Sequence, residues 1–178
     1  MAGHNKWTQI KRQKAVVDAK KSKLFSVLVK QIQLEARKAN GDETASGLKT
    51  VIERARVANM PNENIERAIK SAVGAEAKEL ETILYEAYGP GGVALIIEAI
   101  TNSRNRTTQE VKHLLAEHGG SLALAGAATW AFEKSAAGWQ AKTLVPPPAG
   151  EVADQLTNLL AELNQHDDVE RVSVNTAL

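Results

Sequence analysis

Between Val93 and Ile100 the chain reads VALIIEAI, eight residues with a single polar member, Glu98. A run this short and this apolar reads as a strand in the interior of a sheet, covered on both faces. GPGG (Gly89 to Gly92) stands before it as a turn, and Ile83 to Tyr88 before that reads as a partner strand. The C-terminal half of the chain therefore has to build a sheet around Val93–Ile100, and the other segments are read by how they could cover it.

Upstream, the period is different. Leu24, Phe25, Leu28, Val29 and Ile32 recur at three- and four-residue spacing, continued by Ala36 and Ala39. Asn40-Gly41 ends that helix with residues that tolerate a left-handed cap. Leu48, Val51, Ile52, Ala55 and Ala58 mark a second helix. Ile65, Ala68, Ile69 and Ala72 mark a third, after the break at Asn59-Met60-Pro61-Asn62 and before Gly74. Three short amphipathic helices make a small bundle.

Downstream of the apolar strand, Thr107 and Glu110 have capping-box spacing and precede a helix with Val111, Leu114, Leu115 and His118 on one face. Ala127 to Glu133 alternates and reads as a strand with Trp130 and Phe132 on the same side. Val152, Leu156, Leu159, Leu160 and Leu163 form the stripe of a helix over Glu151–Gln165, and Val169 to Val174 reads as the last strand. The predicted class is α+β: an N-terminal three-helix bundle, residues 1–78, followed by a ββαβαβ domain, residues 79–178, with helices on one face of the sheet. Residues 133–150, with Pro146-Pro147-Pro148, read as a stiff, exposed spacer.

Charge divides the chain in the same place. Residues 1–70 hold 15 Lys/Arg against 7 Asp/Glu, and residues 71–178 hold 7 against 14. The excess is concentrated in KWTQIKRQKAVVDAKKSK (Lys6 to Lys23), seven cations with Asp18 as the lone acid. A solvated helix face normally mixes signs, because like charges three or four apart repel. A polyanion relieves that repulsion, and release of its counterions adds to the affinity. Lys6, Lys11, Arg12, Lys14, Lys20, Lys21 and Lys23 are therefore candidate phosphate contacts, and Trp7 can stack on a base or sugar. No helix-turn-helix with a recognition helix is evident, so the arm offers phosphate affinity and shape reading more than base readout.

TNSRNRT (Thr101 to Thr107) places Arg104 and Arg106 in a loop before a helix N-terminus, a setting that suits a phosphate or carboxylate. The same arginines could equally pair with local acids such as Glu110. The GPGG turn could approach a phosphate through its backbone, but it joins two strands and lacks a Lys or Ser/Thr partner, which favours a plain hairpin turn.

Other chemistries are absent from the sequence. There is no cysteine, hence no disulfide, thiolate metal site or cysteine nucleophile, which fits a reducing compartment. HExxH, GxxxxGK[ST] and GxSxG do not occur. His113 and His118 are five apart and do not share a helical face, so no metal ligand set is nominated, and no cofactor is expected. No segment has the length and apolarity of a membrane span, and no secretory h-region is present. The expectation is a cytoplasmic protein.

Several stretches together resemble the YebC/PmpR family of bacterial gene-expression regulators and their mitochondrial relatives: MAGHNKW followed by IKRQKAVVDAKKSKLF, ANMPNENIERAIKSAVG, YEAYGPGGVALIIEAITNSRNRT, and HGGSLALAGAATWAFEK. They run in family order across residues 1–134. The tail from Glu151 resembles the family's C-terminal helix and strand. Two departures stand out. Asn102-Ser103 replaces a usual Asp-Asn, and the third, acidic α/β domain that relatives carry before the last helix is missing between Glu133 and Gly150. The resemblance implies no catalytic residues. It implies either a transcriptional regulator binding DNA or a translation factor associated with ribosomal RNA, acting at the ribosome or on particular messages. An enzyme built on the GPGG turn and the Arg104/Arg106 loop would need a general base that the sequence does not nominate.

Overall fold

In the computed structural model of the chain, the backbone is described for residues 3–74, 77, 79–136 and 138–177, and the side chains for those residues except 3–10, 12 and 13. The chain divides into two compact units, Met1–Lys78 and Glu79–Leu178.

The first unit holds three helices: α1 (Gly3–Lys38), α2 (Ser46–Val57) and α3 (Asn62–Val73). Leu28, Ile32 and Ala36 of α1 meet Leu48, Val51, Ile52 and Ala55 of α2, Met60, and Ile65, Ala68, Ile69 and Ala72 of α3. Alanine at four of these positions lets the helices approach closely around branched side chains. Both connections close as the residues foretold. Asn40 (φ 49°) and Gly41 (φ 81°) turn left-handed, and Gly41 N–H bonds Ala36 O at 2.8 Å. Asn59 does the same with φ 58°, and Met60 N–H bonds Ala55 O at 2.9 Å. These bonds satisfy carbonyls that a helix end leaves open.

One expectation is corrected here. The helical pattern of the sequence begins at Leu24, whereas α1 begins at Gly3 and runs for 36 residues, about 54 Å at the usual rise. The described side chains of its first half, Lys11 and residues 14–20, are all exposed, so no apolar stripe announces it. Lys, Arg, Gln and Ala are all good helix formers, and their propensity alone agrees with the helix.

The second unit contains β1 (Glu81–Tyr88), β2 (Ala94–Thr101), α4 (Arg104–Glu117), β3 (Ser121–Leu122), β4 (Phe132–Ser135), β5 (Gly138–Ala141), α5 (Glu151–Gln165) and β6 (Val169–Val174). The main sheet has the order β3-β1-β2-β6 and is antiparallel throughout. The apolar run is its interior strand β2, with Leu95, Ile96 and Ile97 wholly buried. Pairing Ile83 with Ala99, Tyr85 with Ile97 and Ala87 with Leu95 puts these six on one face. There they meet Val111 and Leu115 of α4 and Leu156, Leu159, Leu160 and Leu163 of α5. The opposite face carries Ala94 and Ile96, which pack under Ala128, Ala131 and Phe132.

Two further corrections concern that cover. Ala127–Glu133 is not a strand of the main sheet. Thr129–Ala131 is a 3-10 turn, and the chain becomes extended only from Phe132, in a separate hairpin with β5. Trp130 and Phe132 part company: Trp130 is 51% exposed and Phe132 is 3% exposed. The 133–150 segment is also more than a connection. Trp139 and Ala141 are partly buried against the second face, Ser173 Oγ donates to Trp139 O at 3.0 Å, and Val145 N–H donates to Asn175 O at 2.8 Å. Pro146 and Pro147 are exposed.

Candidate nucleic-acid interface

All ten residues nominated from the sequence lie in helices. Eight are on α1. Every residue from Lys14 to Ser22 is exposed, two and a half turns of helix with no face against its own unit. Lys11 is exposed too. Lys11, Lys14 and Lys21 stand at intervals of three and seven, so they share one side of the helix with Asp18. Lys20 and Lys23, three apart, occupy a different side. Positive charge therefore wraps the rod instead of lining a stripe. Lys21 Nζ lies 5.4 Å from the centroid of Phe25, where the helix enters the bundle, a cation–π contact that fixes one end of the charged segment. Lys6, Trp7 and Arg12 belong to α1, but their side chains lie outside the described residues.

Arg104 and Arg106 open α4, and the structure gives both of them acids. Arg104 binds Glu81 Oε2 through Nε and an Nη at 3.0 and 2.6 Å. Arg106 donates to Asp168 Oδ2 at 2.6 Å and lies 3.7 Å from Glu110 Oε2. These hydrogen bonds, and then the carboxylate charges, hold each guanidinium proton more tightly than usual. The α4 N-terminus is thus internally neutralised. His166 Nε2 meets Glu110 Oε2 at 2.9 Å, and Asp168 N–H donates to His166 Nδ1 at 3.2 Å. Glu110, His166 and Asp168 place three ligand-type atoms within 4.8 Å of one another, and Arg106 already supplies the cation at that spot.

The GPGG turn packs inward. Gly89 and Pro90 are buried, and Gly89 N–H is bonded to Val93 O at 2.8 Å. Gly91 (φ 74°) sits so near α5 that a Cβ there would lie 3.3 Å from Pro148 Cβ and Val152 Cγ1. The turn is a packing element.

Residues the sequence reading passed over organise the other face of the sheet. Glu86, buried on β1, accepts N–H bonds from Gly126 (2.7 Å), Ala128 (2.7 Å) and Thr129 (2.9 Å). Burial raises its pKa, but the three backbone donors outweigh that and leave it below the usual carboxylate value. Tyr88 OH donates to Ala127 O and accepts from Trp130 Nε1 at 3.2 Å. The signal was available: a glutamate between buried strand residues, in YEAY, needs donors.

Comparison with known proteins decides the family. Residues 5–75 match the family model described as the TACO1/YebC protein N-terminal domain, and residues 80–137 match the one described as the TACO1/YebC second and third domain. The chain belongs to the TACO1/YebC family. A protein from Pseudothermotoga lettingae named probable transcriptional regulatory protein is 51% identical over 156 residues, covering 86% of this chain and 59% of that one. One of the same name from Petrotoga mobilis is 45% identical over 171 residues, covering 94% and 65%. The chain thus spans about three fifths of the length of these TACO1/YebC relatives. The crystal structure of a conserved hypothetical protein from Aquifex aeolicus superposes with a TM-score of 0.80 at 30% identity, covering 90% of this chain and 92% of that one. The second- and third-domain match stops at residue 137. Among the described residues beyond it, only β5, the Pro146–Pro148 stretch, α5 and β6 follow, which is consistent with a missing inserted third domain. No described helix is long and apolar enough to cross a membrane.

Proposed function

We propose that this chain is a non-enzymatic regulator of gene expression that grips nucleic acid with the basic first half of α1. The observation that carries the reading is the solvent-surrounded rod from Lys14 to Ser22, cationic on more than one side. An exposed cationic helix is stabilised when phosphates surround it, as they do in a groove. Lys6, Lys11, Arg12, Lys14, Lys20, Lys21 and Lys23 are the phosphate contacts, with Trp7 as a stacking residue. The names of the bacterial relatives support promoter DNA as the target.

A second reading has its own support. Positive charge on more than one side of the rod suits a site walled by phosphate on several sides, such as folded ribosomal RNA, and the sequence shows no helix-turn-helix to read a DNA groove. Under that reading the chain is a translation factor working in the cytoplasm at the ribosome. One experiment separates the two. Over a salt series, the chain is applied to duplex DNA and, in parallel, sedimented with ribosomes. Retention on duplex at salt that strips it from ribosomes selects the first reading, the reverse order selects the second, and failure on both overturns the proposal.

A further inference from the structure

Trp130 is a large apolar side chain left 51% exposed in a loop that is not free to fold it away. The loop is fastened from beneath at Glu86 by three N–H bonds. The indole itself is held by its edge, through Nε1–H to Tyr88 OH at 3.2 Å. That bond satisfies the one polar atom of the ring and leaves a ring face as what the side chain can offer. The stretch from Gly119 to Phe132 has no charged residue. Two cations belong to the adjoining hairpin and the residue that follows it. Lys142 is exposed, and its backbone N–H bonds the carbonyl of Ala131, next to Trp130, at 2.9 Å. Lys134 is exposed on β4.

We propose that Trp130 is a pre-positioned platform on which an unpaired nucleobase stacks, with Lys142 taking an adjoining phosphate. The inference rests on the nucleic-acid reading above and adds a ligand class to it: single-stranded or unstacked nucleic acid, since a base inside an intact duplex has no free face. A ring face with its N–H already bonded, and a lysine whose backbone bonds the residue next to it, match what sequence-tolerant single-strand binders present. A protein side chain docking on the same loop would have Leu124, 85% exposed, as its natural anchor, which gives the test its second arm.

Binding of the whole chain is followed by fluorescence anisotropy with a labelled single-stranded oligoribonucleotide and with the matching duplex. The variants are Trp130→Ala, Trp130→Phe, Lys142→Gln and Leu124→Ala. Trp130→Ala should weaken single-strand binding by about tenfold to a hundredfold and leave the duplex within about twofold. Trp130→Phe should recover most of the loss. Lys142→Gln should lower the salt dependence, and Leu124→Ala should change little. Single-strand affinity unchanged in Trp130→Ala, with the far-ultraviolet dichroism and melting temperature of the parent retained, overturns the platform while leaving the arm intact. Equal loss on both probes overturns base stacking. Loss of ribosome sedimentation in Trp130→Ala and Leu124→Ala at unchanged single-strand affinity assigns the loop to a protein and overturns the proposal. A parent chain that binds neither probe overturns the nucleic-acid reading, and this inference with it.

Discussion

Arg106 donates to Asp168 Oδ2 at 2.6 Å, and Thr107 Oγ1 donates to the same oxygen at 2.6 Å. Asp168 is 5% exposed. The carboxylate at the start of β6 is therefore held by neighbouring residues of the α4 N-terminus, and Thr101 Oγ1, 2.9 Å from Thr107 Oγ1, continues the chain of bonds to the end of β2. An arginine with this attachment supports the fold before it can serve a ligand.

The two arginines consequently part in their expected effects. Asp168→Ala should cost about 1–3 kcal/mol, the range for losing buried bonds with a charged partner. Arg106→Ala should lower the melting temperature clearly, because it takes the charged donor from a buried acid. Arg104→Ala, which breaks only an exposed pair with Glu81, should leave it near the parent. Thermal melts of the three variants check this. Equal melts for Arg104→Ala and Arg106→Ala would show that burial of Asp168 does not matter.

Glu86 gives a pH dependence with a definite sign. Its folded pKa lies below the ordinary value of 4.5, so the unfolded state binds the proton more readily. Its contribution is then fully present above about pH 4.5 and is lost as the pH falls through the lower, folded value. Glu86→Gln should cost about 1.5–3 kcal/mol at neutral pH. The gap between parent and variant should close in acid. Denaturant melts at pH 7, 5 and 3 test this, and a gap that widens in acid would contradict it. Amide exchange at Gly126, Ala128 and Thr129 should quicken in the same variant.

Asn175 ties the 133–150 segment to the sheet. Its Oδ1 accepts from Ala94 N–H at 2.7 Å and its Nδ2 donates to Thr143 O at 3.2 Å, at 1% exposure. Asn175→Ala should therefore cost about 1–3 kcal/mol. Replacing Pro146 and Pro147 by Gly and Ser should cost less than about 1 kcal/mol, since both are exposed and change mainly the unfolded chain. Chemical denaturation ranks the two. If the proline variant proves the more damaging, the proline stretch is itself part of the packing.

What the sequence revealed follows from what each element buries. α3 and α5 were legible because one-sided burial imposes a period on them, as at Ile65, Ala68, Ile69 and Ala72, and β2 because burial on both faces makes it an unbroken apolar run. The described side chains in the first half of α1 are all exposed, and that stretch showed only charge. β3 is two residues long, Ser121–Leu122, too short for any alternation. Thr107 and Glu110 have the spacing of a capping box, yet α4 begins at Arg104 and Thr107 bonds Asp168 instead. That partner is 61 residues away, and no local pattern encodes it. In the same way the arm's charge was readable, while the fastening of Trp130 by Glu86 and Tyr88 needed the β1–β3 edge to be known.

The arm itself is tested by salt. If about five of its cations contact duplex phosphates, log K should fall with log salt at a slope of about −4 to −5, or about −3.5 on a single strand. Changing Lys11, Arg12, Lys14, Lys20 and Lys21 to Gln should flatten most of that slope. The structure adds a control that charge counting alone could not. Because the residues from Lys14 to Ser22 are exposed, the bundle core at Leu28 and Ile32 should not feel the change, and the melting temperature should hold. It should rise slightly if relief of repulsion between the lysines on each side outweighs the lost Lys21–Phe25 contact. Helical content by circular dichroism should also persist, since Gln is nearly as good a helix former as Lys. A variant with the parent's helicity and stability but the parent's affinity at every salt concentration would leave the rod a solvated face, and the nucleic-acid reading would lose the observation that carries it.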